Sequence, residues 1–135
     1  MAFRVEHLNP AALPSNPGFS QAVVVSGPAR TIYVGGQNAV DLNGVVGHDL
    51  ATQTTKALRN LEVVLAEAGA ELTDVVSWSI LVVDGQPLTD AFGAFQAVWG
   101  TRGPPPAITV AVVAGLANPG FLVEISAVAM TSADS

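Results

Sequence analysis

The segment Val75 to Val83, VVSWSILVV, most limits what this chain can become. A strand with one wet face alternates apolar and polar residues, whereas this one is almost continuously apolar, with Ser77 and Ser79 as its interruptions. Such a segment is predicted to lie in the interior of a sheet covered on both faces. The rest of the chain must supply that cover or leave it to something else.

Two helices are predicted. The first starts near Asp49, whose carboxylate can cap free N–H groups, and runs to Gly69, a natural C-terminal stop. Leu50, Ala57, Leu58, Leu61, Leu65 and Ala68 keep largely to helical spacing along it and give one packing face. The second fits Leu88 to about Gly100, with Phe92, Phe95 and Trp99 at i, i+3 and i+7, a stripe whose simplest meaning is core packing. The remaining regular segments read as strands. Phe3 to Leu8 ends at Asn9-Pro10, and Gln21 to Ser26 with Thr31 to Gly35 reads as a hairpin around Gly27-Pro28-Ala29-Arg30. Three prolines, Pro104 to Pro106, force an extended chain into Ala107 to Val113, and Phe121 to Met130 is the last strand. Pro14 to Gly18 and Asn38 to Gly47 are turn-rich. The order ββ(β)αβαββ is that of a single α+β domain, residues 1–135, with helices on one face of a sheet. Two helices cover one face only.

Composition sharpens that deficit. In 135 residues, 50% are apolar, 13 more are Gly and 12% are charged, which is more apolar surface than one small core uses. Burial against further copies of the chain accounts for the surplus. A membrane does not, because no run approaches the roughly 20 apolar residues of a spanning helix. No charged and apolar leader opens the chain and it has no cysteine, so a cytoplasmic location is expected.

Eleven acids stand against Lys56, Arg4, Arg30, Arg59 and Arg102, a net charge of −6, and the basic residues never cluster. Such a surface repels phosphate backbones, so no nucleic-acid partner is expected. His7 and His48 are the only histidines and have no second ligand at metal-site spacing, so no metal site is expected. A Gly-x-Ser-x-Gly nucleophile turn is absent from the sequence.

Chemistry centres on Glu124. Alternation through Phe121 to Met130 places Phe121, Val123, Ile125, Ala127 and Ala129 on one face, and Leu122, Glu124, Ser126, Val128 and Met130 on the other. A carboxylate among apolar and small neighbours is costly unless hydrogen-bonded or at a rim, and desolvation would raise its pKa toward a range useful for proton transfer. The competing reading is a solvated edge residue that blunts sheet aggregation. In the preceding strand Ala107, Thr109 and Ala111 share a face of small residues, which suits either a pocket floor or close backbone packing.

The chain resembles the Rid family of reactive-intermediate deaminases, also called the YjgF family, over nearly its whole length. The pieces that carry the likeness are Pro17-Gly18-Phe19-Ser20-Gln21-Ala22, similar to the family's Gly-Pro-Tyr-Ser-Gln-Ala; Val34-Gly35-Gly36-Gln37, similar to Ser-Gly-Gln; Ala57 to Leu61 with Leu65 to Gly69; Val75 to Asp84; and Leu122-Val123-Glu124-Ile125. The resemblance implies a chorismate-mutase-like α+β subunit, a mixed sheet with two helices on one face, assembled as a homotrimer with clefts between subunits. It implies cofactor-free hydrolysis of enamines and imines derived from amino acids. On the matching positions it implies Glu124 as the group that orients or activates water, and Phe19, Ser20, Gly36, Gln37, Gln96, Ala107 and Thr109 as the substrate-binding wall.

The match breaks where the family holds the substrate carboxylate. Its Pro-Ala-Arg-Ser motif falls on Pro105-Pro106-Ala107-Ile108, so Ala107 stands where the Arg belongs, and Phe19 lacks the family's tyrosine hydroxyl. A bidentate guanidinium suits a carboxylate better than any other side chain. Arg102 lies nearby in sequence within a Gly-rich turn, and Arg4 is the other candidate replacement. Hydrolysis of anionic 2-imino acids is therefore expected to be absent or very weak. Two functions fit: an enzyme acting on a neutral or cationic imine, enamine or related labile C–N compound, and a non-catalytic trimer that binds a small metabolite or regulates a partner. A ribonuclease, a label sometimes given to this family, is disfavoured by five basic residues and no histidine pair.

Overall fold

A computed structural model describes residues 2–134. Its strands are β1 (Arg4–Leu8), β2 (Ala22–Ser26), β3 (Ala29–Gln37), β4 (Val40–Asp41), β5 (Gly44–Val45), β6 (Val75–Val83), β7 (Ala107–Val113) and β8 (Val123–Ser132), and its helices are α1 (Leu50–Glu67) and α2 (Leu88–Trp99). The predicted helices and the Val75–Val83 strand form where their sequence signals lie. Asp49 caps α1 by accepting from the Thr52 N–H at 2.8 Å, and Gly69, at φ +75°, ends the turn that follows Glu67. Gly100, at φ +61°, ends α2.

The main sheet has the order β3-β8-β6-β7. β8 is antiparallel to both β3 and β6, while β6 and β7 run parallel, joined by α2 as the crossover. The sheet is thus mixed, and β6 lies in its interior as its composition requires. α1 packs on β8 and β3, and α2 packs beside α1. The core between helices and sheet is built from Leu50, Leu58, Leu61, Leu65, Ile80, Val82, Val123 and Ile125, all nearly inaccessible to water. Removing any of these side chains down to Ala is worth about 2–5 kcal/mol. The alternation in β8 is strict: Val123, Ile125, Ala127, Ala129 and Thr131 are buried under the helices, and Glu124, Ser126, Val128 and Met130 are half-buried on the opposite, open face.

One expected pairing is corrected. β2 does not form a hairpin with β3; it pairs with β1, Arg4 opposite Ser26 and Leu8 opposite Ala22, while β3 pairs with β8 from Ala29 opposite Ser132. Gly27, at φ +85°, turns the chain so tightly against the Ala2 carbonyl that a Cβ there would lie 2.3 Å from it. Pro28, which has no N–H to donate, instead receives the Ala133 N–H on its carbonyl. The last strand also starts and ends two residues later than alternation suggested, and the turn-rich segment after Asn38 contains the small β4–β5 hairpin.

Candidate functional site

A bulge in β3 organises the surroundings of Glu124. Val34 lies opposite Ala127 and Gln37 opposite Ile125, so Gly35 and Gly36 together face Ser126 alone. Bulges of this kind re-aim neighbouring side chains and recur beside functional sites. Here the Glu124 side chain lies over Gly36: a Cβ on that glycine would sit 2.5 Å from Glu124 Cδ and 2.9 Å from its Oε1. The Gln37 carboxamide folds back to donate to the Gly35 carbonyl at 3.1 Å. Glu124, Gly36 and Gln37 are therefore brought together at the β3–β8 boundary.

Across the open face the register continues the row. Leu81 lies beside Glu124 and Ala111 beside Leu81; one step along, Ser126, Ser79 and Thr109 form a line of hydroxyls over three strands. The next step holds Val128, Ser77 and Ala107, with the 80%-exposed Tyr33 beside Val128. The last two rows and Tyr33, but not the Glu124 row, floor a shallow depression of about 480 Å³. Ala107 and Thr109 belong to it. Ala107 is two strands across and four residues along from Glu124, roughly 16 Å away by ordinary sheet spacings. A single subunit does not bring them into one contact.

Phe19 and Gln96 lie on the other side of the sheet. They line a cavity of about 350 Å³ between α2, the helix-facing side of β6 and β7, and the segment Asn16–Phe19. All three rings of the α2 aromatic stripe line it: Phe95 from the core, and Trp99 and the 43%-exposed Phe92 from farther out. Trp78 completes it, its ring edge-to-face with Phe95 at 5.0 Å and with Trp99 at 5.7 Å between centroids. Periodicity missed Trp78 as a wall, because it sits in a strand that reads simply as buried; the chain's two tryptophans meeting at one place is the signal the sequence held.

Ser20 holds Phe19 in place. Its N–H donates to the Pro106 carbonyl at 3.1 Å and its Oγ donates to the Pro105 carbonyl at 2.6 Å, while His7 Nδ1 lies 2.9 Å from Ser20 Oγ. The Gly18 N–H is bound by the Asn16 side chain, which sets the turn before Phe19. Ser20 is buried and its polar atoms are engaged within the chain.

The arginines are occupied away from Glu124. Arg102 donates to the Val98 and Trp99 carbonyls at the end of α2 and approaches Glu62 at 3.9 Å; Arg4 pairs with Glu6; Arg30 donates to the Ala68 carbonyl at 3.0 Å; Arg59 pairs with Glu62 at 2.6 Å. None of these ion pairs includes Glu124. Among the described residues no group of three or more His, Cys, Asp or Glu is placed to hold a metal, and no helix is long and apolar enough to cross a membrane.

Residues 10–131 match the sequence profile of the family described as Endoribonuclease L-PSP. A 2-iminobutanoate/2-iminopropanoate deaminase of Rattus norvegicus is 35% identical over 116 residues, covering 83% of this chain and 79% of the relative. A RutC family protein of Pyrococcus abyssi is 30% identical over 131 residues, covering 96% of this chain and 98% of the relative. Among solved structures, a conserved Rid-family protein of unknown function from Yersinia pestis superposes with a TM-score of 0.82 at 39% identity, over 94% of this chain and 98% of that one.

Proposed function

The chain belongs to the Endoribonuclease L-PSP family, known among its relatives as YjgF or Rid, with the family's chorismate-mutase-like α+β fold, and from that membership we propose that it is a cytoplasmic, cofactor-independent hydrolase of small uncharged imines or enamines. Its cleft forms between subunits of a homotrimer. One subunit contributes Ala107 and Thr109 from the open face and, reached round the edge strand β7 from the helix side, the Phe19 and Gln96 rim; its neighbour contributes Glu124, Gly36 and Gln37.

The observation that carries this reading is the Glu124 carboxylate seated over Gly36, on an open sheet face, with no cation paired to it among the described residues. A carboxylate held over a glycine on an open face can take a proton from a water beside it. The deaminase name of the rat relative supports the reaction class. The half-buried apolar residues of the open face, Val128 and Met130 among them, support assembly with further copies. The wide separation of Ala107 from Glu124 within one chain is relieved if neighbouring subunits face each other there.

Glu124 takes a proton from water as the water oxygen attacks the imine carbon and the C=N electron pair moves to nitrogen, then returns that proton to nitrogen to give a carbinolamine. It next relays the hydroxyl proton to the amino group. The C–N bond breaks, ammonia leaves and the carbonyl forms. Such proton transfer by a placed side chain is worth about 10²–10⁴ in rate. With Ala107 in place of an arginine, an anionic substrate would meet Glu124 without a counter-charge, so the uncharged imine is the better substrate. RNA cleavage, which the family description names, is disfavoured by the net charge of −6 and by arginines engaged within the chain.

The test is ammonia and carbonyl release from an uncharged imine generated in place. Glu124→Gln should lower kcat/KM at least 100-fold with an unchanged sedimentation profile. Equal rates in the two proteins would sink the role of Glu124. Ligand binding without turnover in the unsubstituted protein would leave a non-catalytic binding trimer.

A further inference from the structure

We propose that Asn60 and Asn38 are positioning residues for Glu124, two carboxamides that carry the placement of helix α1 to the backbone on which the carboxylate sits. The inference deepens the hydrolase reading and rests on it for turnover; the placement itself is measured without turnover.

The strand ladder leaves a gap that Asn38 fills. Pairing of β3 with β8 ends at Gln37 opposite Ile125, so Val123 and Glu124 lie past it. The Leu122 carbonyl receives the Val83 N–H from β6. Successive carbonyls point to opposite edges of a strand, so that of Val123 points back toward β3. Val123 is fully buried, and a buried carbonyl needs a donor. The Asn38 carboxamide supplies it at 3.1 Å. One side chain thus joins the residue before Glu124 to the segment that carries Gly36 and Gln37.

Asn60 fixes Asn38 in turn. Its amide nitrogen donates to the Asn38 carbonyl at 2.9 Å and to the Val40 carbonyl at 2.8 Å, which uses both of its N–H bonds. Asn60 therefore acts through Asn38. It projects from α1 next to Leu61, which is wholly inaccessible to water, so the backbone that carries it is packed in the core. All the acceptors in this chain of bonds are carbonyls, so only a donor serves at either position.

The same helix holds the start of β8 a second way. Gln53 is buried, its Oε1 accepts the Leu122 N–H at 2.9 Å and its Nε2 donates to the Gly120 carbonyl at 2.9 Å. α1 therefore grips Leu122 directly and Val123 through Asn38, and Glu124 is the next residue. A reacting group misplaced by about 1 Å from a distant change can lose roughly 100-fold in rate, which is what this double grip guards against.

The test uses Asn60→Leu, which keeps the size of the side chain and removes the donor, and Asn38→Ala, outside any helix or strand. Carbon-13 at the glutamate Cδ gives a signal for Glu124, assigned as the one lost in Glu124→Gln. That signal should move in both variants. It should stay in place in Asp49→Ala, which weakens α1 at its cap and leaves these bonds intact. On an uncharged imine, each variant should lower kcat about tenfold or more with KM within about threefold. Combined with Gly36→Ala, which displaces the same carboxylate, each should cost little beyond the larger single loss, whereas independent losses multiply. An unmoved Glu124 signal in either folded variant, the same movement in Asp49→Ala, or multiplying losses would overturn the proposal. A moved signal in a protein that hydrolyses no imine would leave the positioning and remove the hydrolase; imine turnover with an unmoved signal would do the reverse.

Discussion

The carboxyl group of Glu124 occupies the space that a side chain on residue 36 would fill, since a Cβ on Gly36 would lie 2.5 Å from Glu124 Cδ, 2.8 Å from Cγ and 2.9 Å from Oε1. The missing side chain in β3 therefore sets where the carboxylate on β8 can rest. Gly36 is not among the glycines at positive φ, so its backbone accepts an L residue. Gly36→Ala should keep the fold and move the carboxylate. The expected result is a melting temperature within a few degrees of the original and a kcat/KM on uncharged imines at least tenfold lower. Gly35→Ala is the control, because a Cβ there meets nothing within 4 Å. Full activity in Gly36→Ala would show that the position of the carboxylate is unimportant.

The cap of α1 gives the fold an acid limit. The Asp49 carboxylate accepts the Thr52 N–H and the Thr52 hydroxyl, and the backbone hydrogen bond is the main cause holding its pKa below the ordinary 3.8. A depressed carboxylate pKa contributes stability that is present above the unfolded value and fades as pH falls through the folded one. Thermal melts should show Asp49→Ala below the original protein at pH 7, with the gap closing as pH drops below 3.8. Asp49→Asn, which keeps a capping oxygen, should lie between them. A gap that is constant with pH would place the effect outside the carboxylate.

Ser20 ties three parts of the chain to one oxygen. Because its hydroxyl proton goes to the Pro105 carbonyl, His7 must be the donor in the Nδ1 contact. Ser20→Ala leaves both half-buried partners without this bond, at a cost of up to about 1–3 kcal/mol. The melt should fall by roughly 3–6 °C for each kcal/mol in a domain of this size. Unchanged stability would mean that the Ser20 backbone bond to Pro106 suffices alone.

How far the sequence discloses this architecture depends on whether the signal is local. α1 was legible because capping by Asp49, a leucine stripe and Gly69 all act within one segment, and the interior place of β6 follows from its own composition. The pairing of β2 was not, because hairpin chemistry at Gly27-Pro28 is outweighed by distant partners, β1 for one strand and β8 for the other. The same limit applies to the site. Glu124 stood out as an acid among apolar neighbours, but its seat over Gly36 joins residues 88 positions apart through a bulge that only the strand register reveals. The aromatic cavity was hidden most fully, since Trp78 belongs to a strand, Trp99 to a helix and Phe19 to a turn.

In the proposed cleft, the residue that sets substrate charge is Ala107. It begins β7 on the open face, half-buried, level with Ser77 and followed two residues later by Thr109. An arginine there extends over a face that now carries small side chains and hydroxyls, and no Lys or Arg among the described residues lines the depression beside it. Guanidinium and carboxylate pair through two parallel hydrogen bonds, and hydrogen bonds to charged groups are worth about 1.5–3 kcal/mol, equivalent to roughly 10–150-fold in affinity. Ala107→Arg should therefore tighten binding of a 2-keto acid, the anionic product class of 2-imino acids, by at least tenfold. It should also raise turnover of anionic 2-imino acids while leaving uncharged imines slower or unchanged. The gain should shrink when Glu124→Gln is added for turnover but persist for binding, because the two residues handle opposite ends of the reaction. A 2-keto acid affinity that does not respond to Ala107→Arg would remove Ala107 from the cleft and, with it, the ground for proposing uncharged substrates.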